Sequence, residues 1–379
     1  VAKKDDGIVR IGYKYRAYPT PEQKVLIDQQ FGACRYVYNF ALRLKQKAYK
    51  YARVSLDITK DIRPLLTHMK KEDKWEWLAD AESQSLYEAY RNLENAYDRF
   101  FDPELKAGFP QFKTKKNPKQ SFQITNGAVI PNFDAGYVRI PKIGNIPIRV
   151  HKDFVGTPKT VTVSRKPSGK YYISILNETG KLYPETQSYE PHSTLGIDLG
   201  LKNFAALSTG ELIPNSHFKK DSEPRIKCLQ RRLSHKKIGS ANFKKAKLKL
   251  ARLEEHISNQ RSYFHHNLSA RLVSENQAII VENLNVAGML KNPKLAKSIA
   301  DVGWSTFINQ LEYKSKLQGK YFNKVGRFFP SSKLCSECGY KLPSLSLDIR
   351  EWTCPVCNTT HDRDFNASIN IRNTAVQVG

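Results

Sequence analysis

Acidic residues are scarce in this sequence. Its 379 residues hold 36 Asp and Glu against 62 Lys and Arg, a formal net charge of +26 at pH 7. A surplus of that size repels itself in a folded chain unless a polyanion compensates it, and nucleic acid is the usual polyanion. Long apolar runs are also missing. None approaches the roughly 20 residues that a membrane helix needs, and no amphipathic anchor or lipidation signal favours a membrane surface. The start, Val1-Ala2-Lys3-Lys4-Asp5-Asp6-Gly7, is no signal peptide and lacks an initiator Met, so a trimmed start is expected. Cysteines number six. Cys34 and Cys228 stand alone in helical patterns and read as packed residues. The other four form two close pairs, which favours a reducing compartment and a metal site over a disulfide framework. The length implies two or three domains.

Residues 9–18 alternate, carry aromatics and read as a strand with a basic face. A helix starts next: Thr20 can cap it, Pro21 suits its first position, and Gln23 completes a capping box. Val25, Leu26, Phe31, Cys34, Tyr38, Leu42 and Ala48 form its apolar stripe. Further helices are expected near 58–70, 74–80 and 82–101. From 105 to 180 the period turns extended. Strands are expected near 120–125, 137–141, 146–150, 159–166 and 170–177, the last two turning at Pro167-Ser168-Gly169. The helical block 20–101 thus sits inside a small antiparallel sheet or barrel. A linker over 181–192 leads to a second region.

That region opens on Gly196-Ile197-Asp198-Leu199-Gly200, the start of a hairpin. Alternation points the Asp198 carboxylate away from Ile197 and Leu199, and the two glycines leave room for something bulky to approach it. From Arg225 to Arg261 twelve Lys and Arg face two acids. This reads as a helix pair broken at Ile238-Gly239-Ser240. Arg231, Arg232, Lys236, Lys237, Lys244 and Lys245 are its candidate phosphate contacts. Ala278 to Val281 reads as a buried parallel strand ending at Glu282. A helix over 301–318 and a strand over 321–329 follow.

Two Cys-x-x-Cys knuckles, Cys335/Cys338 and Cys354/Cys357, can place four thiolates tetrahedrally around a structural zinc, which leaves no open position for catalysis. Gly339 and Asn358 follow the knuckles and tolerate a left-handed turn. The run His361-Asp362-Arg363-Asp364-Phe365-Asn366-Ala367 then opens a helix, where one acid can serve as a cap. Asp198 on a first strand, Glu282 ending a later parallel strand and an acid opening a late helix follow the order of RNase H-like nucleases. There, two divalent cations activate water and stabilise a leaving oxygen, and oxygen ligands suit Mg²⁺ or Mn²⁺.

These pieces together resemble the TnpB family, RNA-guided nucleases of insertion sequences related to type V CRISPR effectors. The resemblance spans nearly the whole chain. It rests on Tyr18-Pro19-Thr20-Pro21-Glu22-Gln23, Arg35-Tyr36-Val37-Tyr38-Asn39, Gly108-Phe109-Pro110-Gln111-Phe112-Lys113, Gly196 to Lys202, Val281 to Leu284, Pro330 to Gly339 and Asp362 to Ala367. It implies a multidomain α/β protein. A wedge-like antiparallel β domain would cover 1–19 and 102–190, and a helical recognition domain 20–101. A RuvC-like (RNase H-like) nuclease domain would cover 191–330 and 358–379, and a zinc ribbon 331–357. It further implies Asp198, Glu282 and Asp364 as metal-binding catalytic acids, with Asp362 supporting. The implied partners are a guide RNA from the transposon end and double-stranded target DNA next to a short motif. The protein would act as a monomer with one RNA, away from any membrane, in a prokaryotic cytoplasm at the nucleoid. Ser83, Gln84, Tyr87, Thr125 and Asn126 are candidate readers of the short motif, with surface or capping roles as the alternative. Relatives often carry a further C-terminal tail, expected here to be absent or trimmed. Competing readings are a nuclease-silent RNA-guided regulator, a compact type V CRISPR effector, a DDE-type transposase and a zinc-ribbon protein with structural acids.

Overall fold

A computed structural model describes residues 7–117, 119–125, 129–152, 154–346 and 348–376. The chain divides into two units, Val1–Lys181 and Leu182–Gly379.

In the first unit, strand β1 (Ile8–Ala17) leads into α1 (Pro21–Ala52). The capping box forms: Gln23 N donates to Thr20 Oγ1 and Thr20 N to Gln23 Oε1. The buried face of α1 runs through Ile27, Phe31, Cys34, Tyr38, Ala41 and Leu42. Val25 and Leu26, expected on that stripe, are 57% and 38% exposed because they fall off the line that Ile27 begins. The helices expected over 58–70 and 74–80 are shorter. They are a π-helical turn (Ile58–Ile62), α2 (Leu65–Met69) and a 3-10 turn (Asp73–Leu78). Pro64, which has no amide proton, separates the first two. Helix α3 (Ser83–Phe101) is capped by Glu82, whose carboxylate accepts from the Gln84 and Ser85 amides at 2.8 and 2.7 Å.

The strands are β2 (Gln120–Thr125), β3 (Ile130–Asn132), β4 (Tyr137–Ile140), β5 (Gly144–Arg149), β6 (Thr157–Arg165) and β7 (Tyr171–Leu182). Their order is β2-β6-β7-β1-β5-β4-β3. The first strand therefore lies mid-sheet, and the chain leaves it for the helices before building both flanks. Helices and sheet share one core that joins Tyr15, Ile27, Leu42, Leu86, Leu93 and Ile173.

In the second unit, β8 (Thr194–Leu199), β9 (Asn203–Leu207) and β10 (Leu212–Pro214) form antiparallel hairpins. Helices α4 (Phe218–Asp221), α5 (Glu223–Ser234) and α6 (Ala241–Glu275) precede β11 (Ala278–Val281). Next come α7 (Val286–Met289), α8 (Ala296–Val302), α9 (Trp304–Leu317) and β12 (Tyr321–Lys324). The helix expected over 301–318 is thus two, divided at Gly303 (φ 70°), and the expected strand over 321–329 stops at Lys324. The sheet order is β10-β9-β8-β11-β12, with β11 parallel to both neighbours. A small ribbon, β13 (Glu351–Thr353) against β14 (Thr360–Asp362), ends in α10 (Arg363–Val376).

Ala278 to Val281 are fully buried, as a parallel strand covered on both faces must be. Alternation assigns the covers: Ile279 and Val281 join the core built with α6 and α9, whereas Ile280 joins Ile371 and Ala375 of α10. Helix α10 therefore lies on the opposite sheet face from α6 and α9.

Candidate active site and metal centre

The parallel register pairs Ile197 with Val281. Asp198 and Glu282, each one residue further on, leave the carboxyl ends of adjacent strands side by side, the edge at which open α/β sheets bind ligands. The third acid arrives on the helix. A Cβ at Gly196 would stand 2.1 Å from Ser368 O and 2.6 Å from Arg372 N, so the α10 backbone rests directly on this glycine. Asp198 lies two residues beyond Gly196 on the same face of β8. Asp364 lies one turn before Ser368 on the same side of α10. The contact at Gly196 thereby brings Asp364 towards Asp198. Gly196 serves this helix; the room expected there for an incoming ligand is filled by protein.

All three acids are half-buried. The Asp198 carboxyl is pushed well above the usual carboxylate range, first by burial and then by the charges of Glu282 and Asp364, with Arg363 partly opposing. Glu282 is also pushed up by burial, against a hydrogen bond from Ser331 Oγ to its Oε1 at 3.0 Å and the charge of Arg363. Arg350 Nη1 stands 3.5 Å from Asp364 Oδ1. Asp198 and Glu282, both with raised proton affinity, stand with Asp364 in a site short of positive charge. Hard oxygen donors in that state fit a divalent cation. Asp362 serves as a cap, accepting from the Phe365 amide at 2.8 Å, and its charge also raises Asp198.

The four thiols of Cys335, Cys338, Cys354 and Cys357 all lie within 4.8 Å of one another, a spacing that the three carboxylates do not reach among the described residues. Gly339 (φ 75°) and Asn358 (φ 58°) take the left-handed turns, their amides donating to Cys335 O and Cys354 O. The Thr359 hydroxyl, 3.3 Å from the Cys357 sulfur, favours the thiolate and helps pull that thiol down to about 6. His361 Nε2 stands 3.0 Å from Cys335 Sγ and packs on Trp352. This soft set of four thiol donors fits zinc.

Helix α10 holds the cluster and the acids together. Asn366 Nδ2 and Asn370 Nδ2 donate to Leu334 O, both at 2.7 Å. Asn370 also donates to Ser331 O at 2.8 Å, and Asn366 Oδ1 accepts from the Ser336 amide at 3.0 Å. The helix that carries Asp364 thus also fixes the loop whose Ser331 orients Glu282. Ser331, Arg350, Asn366 and Asn370 escape a reading by motif chemistry. The only sequence hint is Asn366 and Asn370 four apart in a helix beginning at an acid.

The six basic candidates are all exposed. Arg231 and Arg232 lie on α5, Lys236 and Lys237 in the connection, and Lys244 and Lys245 on α6. The candidate motif readers fare differently. Ser83 Oγ accepts from Lys70 Nζ at 2.9 Å, and the Arg63 guanidinium covers the Tyr87 ring at 4.3 Å. Gln84 is half-buried beside the Glu82 cap. Thr125 ends β2 opposite Thr160 and donates to Glu88 Oε1 at 3.1 Å. Asn126 lies outside the described residues.

Comparison with known proteins is consistent along the chain. The OrfB_IS605 family ("Probable transposase") matches residues 172–293, and its helix-turn-helix domain matches 9–53, where the structure holds β1 and the single long α1. A Cas12f1-like TNB domain matches 304–371, a span that includes all four clustered cysteines. A Streptomyces pristinaespiralis protein named for RNA-guided DNA endonuclease activity is 38% identical over 96% of this chain and 89% of its own length. InsQ of Escherichia coli K12, named for the same activity, is 30% identical over 95% of this chain and 90% of its own. The fold is shared with Cas12f1 as solved with sgRNA and target DNA, at TM-score 0.58 and 13% identity, covering 98% of this chain and all of that one.

Two outcomes follow from the geometry. Stripping metal with a strong chelator is expected to remove amide-exchange protection from 335–362 and loosen the start of α10, while β8 and β11 stay protected. Hydrogen-exchange mass spectrometry reads this. Without added divalent cation, the folded chain binds more protons at Asp198 than the unfolded chain between the ordinary value of 3.8 and its raised folded pKa. Stability is therefore lost as pH rises through that window. Asp198→Asn should raise the melting temperature by a few degrees at neutral pH, with the gain vanishing towards about pH 4.

Proposed function

The chain belongs to the TnpB family, the transposon-associated RNA-guided nucleases of the OrfB_IS605 type, and from that premise we propose that its second unit cuts DNA at Asp198, Glu282 and Asp364. The observation that carries the proposal is the convergence of three mutually repelling carboxylates at the carboxyl ends of β8 and β11 and the start of α10. In this reading the nuclease is RuvC-like, of RNase H-like topology, and spans 191–330 and 358–379. The zinc ribbon covers 331–357, with Cys335, Cys338, Cys354 and Cys357 as ligands. The wedge-like β domain covers 1–19 and 102–190, and the recognition helices 20–101.

The three acids would hold Mg²⁺ or Mn²⁺, which, when bound, supplies activation of water and stabilisation of the leaving oxygen of a phosphodiester. The chain's own residues set the stage. Ser331 fixes the Glu282 rotamer through its hydroxyl. Arg363 tempers the negative charge around Asp198 and Glu282, and Arg350 stands beside Asp364. Packing of α10 on Gly196 keeps Asp364 from drifting off the sheet edge. Guide RNA pairing would select the DNA sequence, and the basic face of α5 and α6 would track a phosphate backbone. Partners are one guide RNA and double-stranded target DNA on a single protein copy, in a prokaryotic cytoplasm. No helix among the described residues is long and apolar enough to cross a membrane.

The presence of all three acids favours cleavage over a nuclease-silent regulator. The fold shared with Cas12f1 favours, as a second reading, a compact CRISPR effector; the RNA bound in the native host separates the two, as transposon-end or repeat-array sequence.

The test is cleavage of a target plasmid by the protein purified with its RNA, in Mg²⁺. Asp198→Ala is expected to lower cleavage by roughly 10³-fold or more while RNA and DNA binding persist. Undiminished cutting by that variant would remove Asp198 from the site.

A further inference from the structure

Helix α1 carries a cluster that neither the acids nor the cysteines use. A cavity of about 490 Å³ opens beside it, lined by Gly32, Arg35, Tyr36, Phe40, Arg43 and Trp77. That volume lies within the range of small-ligand pockets. Tyr36 and Phe40, one turn apart, hold their rings within 17° of parallel at 6.3 Å. Trp77, from the 3-10 turn, meets Tyr36 edge-on at 5.3 Å and is 43% exposed. Trp75 Nε1 donates to the Tyr36 hydroxyl at 2.5 Å, which fixes that ring. A Cβ at Gly32 would meet only the end of Arg35, at 3.9 Å. Packing therefore does not demand glycine there, and its missing side chain keeps the cavity open.

The charges decide what such a cavity takes. Arg35 is half-buried and Arg43 exposed, and neither guanidinium has a carboxylate or hydrogen-bond partner among the described residues. Elsewhere in this unit arginines find acids: Arg165 Nη1 donates to Asp28 at 2.6 Å and Arg91 Nη1 to Glu88 at 2.7 Å. A half-buried cation without a counter-charge is costly unless an anion from outside supplies one. Asn39, also at this cavity, is already committed: its amide holds the Lys113 backbone through two hydrogen bonds of 2.8 Å. It braces the neighbouring loop and is not free to read a base.

We propose that this cavity binds one splayed nucleotide of a single strand, its base against Tyr36, Phe40 and Trp77 and its phosphates on Arg35 and Arg43. Aromatic faces paired with unpaired guanidinium groups are what unstacked nucleotides recognise. A duplex cannot use the site, because its bases already stack on one another. The ligand class rests on the nucleic-acid reading above; the site does not depend on the acids, so its test needs neither metal nor cleavage.

The test is photocrosslinking of the full chain to short single-stranded oligonucleotides carrying 4-thiouridine (RNA) or 4-thiothymidine (DNA), without added Mg²⁺, with crosslinked peptides mapped by mass spectrometry. Crosslinks are expected at Tyr36, Phe40 or Trp77. Arg35→Gln with Arg43→Gln should weaken them at least about tenfold and flatten the salt slope of binding by about 1.4, for two phosphates of a single strand. Trp77→Ala should weaken them about tenfold with little change in slope. If the double variant melts early, Arg43→Gln alone, at an exposed position, carries the test with half the slope change. Crosslinking by the RNA probe alone, the DNA probe alone or both supports the site and names its strand. Crosslinks confined to the α5 and α6 lysines, or unchanged at α1 in the arginine variants, overturn it. Either result leaves the cleavage test at Asp198 standing on its own.

Discussion

One contact organises the second unit: the α10 backbone lying on Gly196. No other residue fits there, since a Cβ would come within 2.1 Å of Ser368 O and 2.6 Å of Arg372 N. Two periodicities then do the rest. Asp198 follows Gly196 by two on the strand, and Asp364 precedes Ser368 by four on the helix, so both project along the same seam. Parallel pairing of β8 with β11 adds Glu282 from the side. A sheet edge, a helix start and one missing methyl group thereby gather acids that are 84 and 82 residues apart in the chain.

The arrangement works against the stability of the protein without bound cations. Carboxylates gathered at a partly desolvated edge repel one another, and Asp198 and Glu282 hold protons more tightly for it. Their neighbours restrain them: Ser331 bonds Glu282, Arg350 stands by Asp364, and Asn366 and Asn370 tie the segment 331–336 to α10. The cysteine cluster begins in that segment, at Cys335. Its ordering and the placing of Asp364 are one structural problem, because β14 runs without a break from His361, beside Cys335, into α10.

Much of this was legible in the residues. The capping box at Thr20, the hairpin at Gly169, the break between α5 and α6 and both cysteine knuckles carry local signals, and local signals survive folding. The order of the three acids along strand, strand and helix could be read because strands and helix starts have distinct patterns. What tertiary packing decides was not legible. Gly196 read as room for a ligand but makes room for a helix, since sequence does not say which body approaches a bare backbone. Val25 and Leu26 read as core but face outward. Trp77 meets Tyr36 only through the packing of the turn after Glu72 on α1, which a helical signal near 74–80 does not announce.

The most direct measurement is DNA cleavage by Gly196→Ala, purified with its RNA and compared with wild type at equal RNA loading. The added methyl group is expected to lift α10 from β8, move Asp364 away from Asp198 and abolish cleavage while the RNA stays bound. Wild-type cleavage by this variant would contradict this, for the three acids would then not depend on the contact held to assemble them.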